Sequence, residues 1–221
     1  EFSFCTNQYI QLCGLNLYNL KSVKFVPIFP TGKMGLVSKE VPLPNCFDLT
    51  ADPILICTEA EFLSISSNLN KNYKLVNDLD FSGITYVQIG STATPFNGIF
   101  DGGGHELQNI IVNLPTNEHV GVFAIITENA EIRNLGVTNV NIEGNKKVGG
   151  IVGRNKGLIT NSYSTGTVRG HDVLIGGLVG DNYGENTDSI KGRIENSYSS
   201  ANIYADDQAG DTRRLIWKPE V

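Results

Sequence analysis

The sequence predicts an all-β chain wound as a right-handed parallel β-helix, with a short capping helix and an irregular, disulfide-containing segment ahead of it. A glycine-rich phrase that occurs twice, an aliphatic-x-asparagine kernel that recurs, and apolar runs too short for helices lead to that architecture. The first copy of the phrase runs from Val148 as V-G-G-I-V-G-R-N-K-G-L-I-T-N-S-Y-S-T-G-T-V. The second starts at Ile175 as I-G-G-L-V-G-D-N-Y-G and resumes, after the detour Glu185 to Gly192, as R-I-E-N-S-Y-S-S-A-N-I. Weaker traces lie upstream in Leu107-Gln108-Asn109-Ile110, in Val120 to Phe123 and in Ile132-Arg133-Asn134-Leu135.

The kernel sets Asn109, Asn134, Asn161 and Asn196 one repeat apart, in a unit of about 25 residues that is too small to bury a face alone and must stack on its neighbours. Paired or alternating apolar residues, such as Leu135 with Val137 and Val140 with Ile142, are bounded by glycine and asparagine and fit strands of a few residues. Gly149-Gly150 and Gly176-Gly177 suit left-handed corners or a close approach to the coil above. Asparagine tolerates the same corners, and repeated Asn positions predict an amide ladder, with Tyr163 stacked over Tyr198.

Ahead of the repeats, Thr58 with Glu61 three residues on is a capping box, followed by Phe62, Leu63, Ile65 and Leu69, so a helix at about 59–69 is expected to cover the open end of the stack. Residues 1–50, with Pro27, Pro30, Pro42 and Pro44, read as an irregular β segment; residues 51–205 read as the β-helix. From residue 206 to 221 the pattern lapses, giving either a tail or cap through Leu215, Ile216 and Trp217 or the front portion of a longer array. The even set Cys5, Cys13, Cys46 and Cys57 favours local bridges, Cys5 to Cys13 and Cys46 to Cys57, over zinc, for which no C-x-x-C pair exists. Four buried free thiols are the alternative.

In 221 residues, 40% hydrophobic and 18% charged, the 24 glycines sit in a foldable composition. A net charge of −6 without a basic run excludes nucleic acid as a partner. No apolar run reaches the roughly 18 residues of a membrane span. The chain begins at Glu1 with no leader, which suits either a processed mature protein or an excised fragment, both compatible with a secreted or cell-surface location.

The phrase around Gly150-Ile151-Val152-Gly153 and Gly177-Leu178-Val179-Gly180 resembles the GLUG motif. The stretch from Tyr73 to Asp80 and from Phe96 to His105 resembles the segment that commonly precedes such repeats. The resemblance implies a right-handed β-helix in bacterial surface proteins, adhesin-like proteins among them, or an accessory part of a secreted peptidase.

No nucleophile elbow, H-E-x-x-H, Walker loop or dinucleotide fingerprint occurs. A binding module recognising a glycan or a host or cell-surface protein is therefore the leading expectation, with no cofactor. Asp78, Asp80 and Ser82 with Gly83 open like a calcium loop and are the calcium candidates, although Ile89 stands where the closing glutamate belongs; the alternative is a polar turn in which the aspartates cap backbone amides. Asp78, Asp80, Asp101 and His105 are the candidates should the chain instead be a polysaccharide lyase or hydrolase, since carboxylates at neighbouring corners suit acid–base sugar chemistry. The expected ligand-binding flank is Tyr183 with the detour residues Glu185, Asn186, Thr187 and Asp188, because insertions in a repeat loop out on one face. His105 and His119 read as surface histidines.

Overall fold

The computed structural model describes residues 22–25, 39–42, 46, 48–183 and 192–206. The chain divides into two units, Glu1–Asn45 and Cys46–Val221. In the first, Ser22–Phe25 pairs antiparallel with Lys39–Pro42. Cys5 and Cys13, the detour residues 185–188 and the tail Leu215 to Trp217 lie outside the described residues.

The second unit is a parallel β solenoid with three faces. The first face stacks Ile54–Ile56, Tyr73–Leu75, Ile99–Asp101, Glu131–Arg133, Leu158–Thr160 and Arg193–Glu195 in chain order. The second stacks Leu79–Asp80, Glu106–Gln108, Gly136–Gly149, Tyr163–Gly170 and Tyr198–Ser199. The third stacks Phe123–Ile126, Val152–Asn155 and Val179–Asn182. The ladders are parallel, with register shifts along the long second-face strand between Val137 and Val140 and between Gly144 and Lys146; on the other faces Tyr73, Phe100, Ile132, Ile159 and Ile194 form one column and Phe123, Val152 and Val179 another. Their buried members make a continuous core, which removes apolar side chains from water without any one coil having to do so alone.

The helix Glu59–Ser64 continues as a 3-10 turn Ile65–Ser67, a little shorter than its apolar pattern suggests. Its capping box forms as expected, with Thr58 Oγ1 accepting from Glu61 N and Glu61 Oε2 accepting from Thr58 N at 3.0 Å and from Cys57 N at 2.8 Å. Phe62 plugs the interior, its ring 5.5 Å from Phe100 and 5.6 Å from Phe81. Cys57 is bridged to Cys46, tying the entry of the helix to the chain before the first coil strand.

The two classes of special residue divide the corners between them. Asn109, Asn134, Asn161 and Asn196 all take left-handed φ, between 48° and 60°. None of Gly149, Gly150, Gly176 and Gly177 does; a Cβ would run into backbone at the first three and into the Ser199 side chain at Gly177. A Cβ on Gly149 would lie 2.2 Å from Val152 O of its own coil, and one on Gly150 would lie 2.3 Å from Gly177 O of the next. Asn161 Nδ2 donates to Asn134 Oδ1 at 3.3 Å, and Asn134 Nδ2 to Asp101 Oδ1 at 3.0 Å. Asn109 belongs to another ladder: it accepts from Asn139 at 2.6 Å and donates to Asp80. Its strand pairs with Gly136–Thr138 on the second face, so the same three-residue kernel builds two different corners.

The repeated N-S-Y-S is explained letter by letter. Ser197 Oγ accepts from Ser162 N, Tyr163 and Tyr198 stack at 5.4 Å and 8° between planes, and the Ser164 and Ser199 hydroxyls meet at 2.9 Å. Coil-to-coil separation is 27 residues at Asn155 and Asn182 and 35 at Ser164 and Ser199, so the detour is absorbed between them without loss of register.

His119 is a correction to the expectation of a surface histidine. It aligns with Lys147 and Leu174, all three at left-handed φ, and is only 7% exposed, with Nε2 unpartnered. Burial, reinforced by Lys147 and Arg154, pushes its pKa down from 6.5 to about 4. The unfolded chain therefore takes up this proton first, and the fold loses stability as pH falls from 6.5 toward about 4. His171 has the opposite sign: hydrogen bonds to Asp206 and Glu143 raise its pKa, so its contribution is complete below 6.5 and is lost at higher pH. In thermal melts, His119→Asn, which keeps a residue tolerant of the left-handed backbone, is expected to flatten the decline between pH 6.5 and about 4; an unchanged slope would show that His119 titrates normally. Gly150→Ala is expected to destabilise by about 3 kcal/mol or more through backbone overlap, whereas Asn161→Gly costs about 1 kcal/mol for a lost hydrogen bond. Chemical denaturation of both variants checks this order.

Candidate binding face

The acidic residues expected to converge are distributed over different corners. Asp78 Oδ1 accepts from Glu106 N at 2.9 Å and lies 3.2 Å from His105 Nδ1, so these two candidates do meet. Asp80 Oδ1 accepts from Asn109 Nδ2 at 2.7 Å and from both N and Oγ of Ser82, the bonds of a polar turn. The Asn109 bond, then those from Ser82, hold its carboxyl below the usual range. Asp101 ends the other ladder. Burial alone would raise its pKa, but bonds from Asn134, Gly103 and Arg133 more than offset this, leaving it lowered. Each of these two aspartates thus terminates an asparagine ladder. Among the described residues, the acidic, thiol and imidazole atoms close enough to share an ion belong to Cys46, Cys57 and Glu61, whose sulfurs are joined to each other.

On the outside of the second face, Glu106, Gly136, Tyr163 and Tyr198 are in register. Gly136 leaves the gap through which the Tyr163 hydroxyl reaches Glu106, since a Cβ there would lie 2.7 Å from that hydroxyl. The carboxylate acceptor raises the Tyr163 pKa to about 12, and the same bond lowers that of Glu106. Tyr198 is the exposed end of the column, at 52%.

The third face carries a concave feature. A polar cleft of about 360 Å³ lies where this face turns into the first, with Ile125 and Pro95 as apolar lining and Asn97, Thr127, Glu128, Asn129, Arg154 and Lys156 around it. It spans three successive coils, because Asn97, Thr127 and Lys156 follow Phe96, Ile126 and Asn155, which are held in register. Arg154 pairs with Asp181 at 2.8 Å, its partner in the next coil. Tyr183 caps the cations: Arg154 lies 4.6 Å and Lys156 5.2 Å from its ring centre. Tyr183 was among the residues expected on a ligand-binding flank; Arg154, Lys156 and Glu128 were not. The signal was present in the repeated phrase, where V-G-R-N-K-G becomes V-G-D-N-Y-G: the letters that differ between copies are those that project from the third face.

The GLUG motif model matches residues 144–169 and 172–204, the two coils whose glycine contacts are described above. The chain carries two GLUG repeats. Beyond the motif, 91 residues are 37% identical to halomucin of Haloquadratum walsbyi, covering 41% of this chain and 1% of that protein. The chain is also 31% identical over 121 residues to a "Putative Gly-rich membrane protein" of Evansella cellulosilytica, covering 50% of this chain and 14% of that one. The chain thus spans only a small part of the length of these relatives. A solved structure of a "putative immunoglobulin A1 protease" from Bacteroides ovatus shares the fold with a TM-score of 0.57 at 24% identity, over 67% of this chain and 47% of that one. Among the described residues no helix is long and apolar enough to cross a membrane.

Proposed function

We propose that this GLUG-repeat solenoid is a binding module of a larger extracellular or cell-surface protein and that it recognises a glycan at the three-coil cleft of its third face. The cleft carries the reading: amide, hydroxyl and charged side chains surround a small apolar lining, the composition that orients a polyhydroxylated ligand. The relatives named for a mucin and a membrane protein support a surface setting, as does the Cys46–Cys57 bridge, which persists in oxidising compartments. Catalysis by the acidic candidates is the weaker reading. A general acid at neutral pH needs a raised pKa, and Asp80 and Asp101 are held low by the ladders they terminate.

A glycan array probed with the whole chain is expected to give hits that survive Asp78→Asn and His105→Ala. An array without hits from folded protein would sink the proposal. Polysaccharide turnover abolished by changing Asp78, Asp80 or Asp101 to asparagine would replace it with the enzymatic reading.

A further inference from the structure

We infer that the cleft selects acidic saccharides, taking a sugar carboxylate at Lys156 while the neighbouring amides and hydroxyls hold its hydroxyl groups. This deepens the glycan-binding proposal and rests on it. The chain has a net charge of −6, and most cations on the solenoid are matched: Arg133 with Asp101, Lys146 and Lys147 with Glu118, and Arg154 with Asp181. Lys156, like Lys71 and Lys74, is not among them, but of these three it is the one that lines the cleft. Among the described residues it has no carboxylate partner, and its ammonium lies over the Tyr183 ring at the border of the cleft. An ammonium over an aromatic face keeps its charge and loses part of its freedom, which lowers the entropy lost when an anion is bound.

The second cation reinforces the first. Arg154 uses Nε for Asp181 and lies over the same ring, so two positive groups share Tyr183, while Glu128 is the single carboxylate in the cleft lining. Glu128 is exposed and, among the described residues, makes no ion pair, so the cleft holds separated positive and negative ends rather than a closed salt bridge. A neutral sugar would leave Lys156 unmatched. A carboxylated sugar satisfies it and presents hydroxyls to Asn97, Thr127, Asn129 and Glu128. The cleft's three rungs cover about 10 Å along the solenoid axis, enough for more than one sugar ring.

The test is calorimetric titration of the whole chain with tri-galacturonate and 3′-sialyllactose, each beside its carboxyl-reduced counterpart, at fixed ionic strength. At least one acid is expected to bind ten-fold or more tightly than its reduced form. Lys156→Gln should remove that preference, so that the acid and its reduced form bind the variant alike. Equal binding of acid and reduced probes, or a preference unchanged in Lys156→Gln, overturns the acidic selectivity but leaves glycan binding standing. If neither acid binds, this inference fails; array hits confined to neutral glycans would separate that from failure of glycan binding itself. Circular dichroism of Lys156→Gln should match the parent, because the residue is partly exposed and terminates no ladder.

Discussion

The close approach of backbone to backbone at the V-G-G-I-V-G corner is the constraint on which the rest of the solenoid depends. There the chain leaves the long second-face strand at Gly149, reverses through Gly150 and Ile151, and returns as the third face from Val152. A Cβ on Gly153 would lie 2.5 Å from the His119 carbonyl carbon of the coil below, and one on Gly180 would lie 2.4 Å from that of Lys147. Glycine's value here is the missing side chain, not a left-handed backbone; several of the left-handed corners are taken by asparagine, as at Asn134 and Asn161, whose amides also bond between coils. This allocation lets three faces close around one apolar interior and fixes the register of everything outside it.

That register converts repeated letters into architecture and varied letters into surface chemistry. Positions kept between the two motif copies, such as Gly149 with Gly176, Asn155 with Asn182 and Tyr163 with Tyr198, meet their own kind one coil away. Those that change, Arg154 to Asp181 and Lys156 to Tyr183, meet a complementary partner instead, one as an ion pair and the other as a cation over a ring. The cleft grows from the second group. It is built on strand ends held by the core, so its side chains are placed by the solenoid and not by a free loop.

Much of the fold was legible because its information is periodic. The short apolar runs, the capping box at Thr58 and Glu61, the Cys46–Cys57 bridge and the tyrosine stack could all be read without coordinates. Asn109 was misplaced because the aliphatic-x-asparagine kernel serves two corners, and only the pairing of Leu107 with Val137 distinguishes them. His119 was read as a surface residue because nothing in its flanking sequence shows that Gly153 of the next coil lies against its backbone. Beyond Arg154 and Lys156, which vary between the motif copies, the cleft was illegible for a related reason: Asn97, Glu128 and Lys156 are far apart in sequence and neighbours only through stacking. The acidic candidates drew attention by their spacing, yet Asp80 and Asp101 terminate ladders, a structural use that spacing alone does not separate from a chemical one.

Amide hydrogen exchange at the glycine corner tests this dependence most directly. Gly150 N donates to Gly177 O at 3.0 Å, Ile151 N to Leu178 O at 2.9 Å and Phe123 N to Ile151 O at 2.8 Å, so three amides report contacts between coils and not within one. All three should exchange only through global unfolding, with the same free energy as the core strands. Rapid exchange there, with the core strands still protected, would contradict the corner's role in holding the coils together.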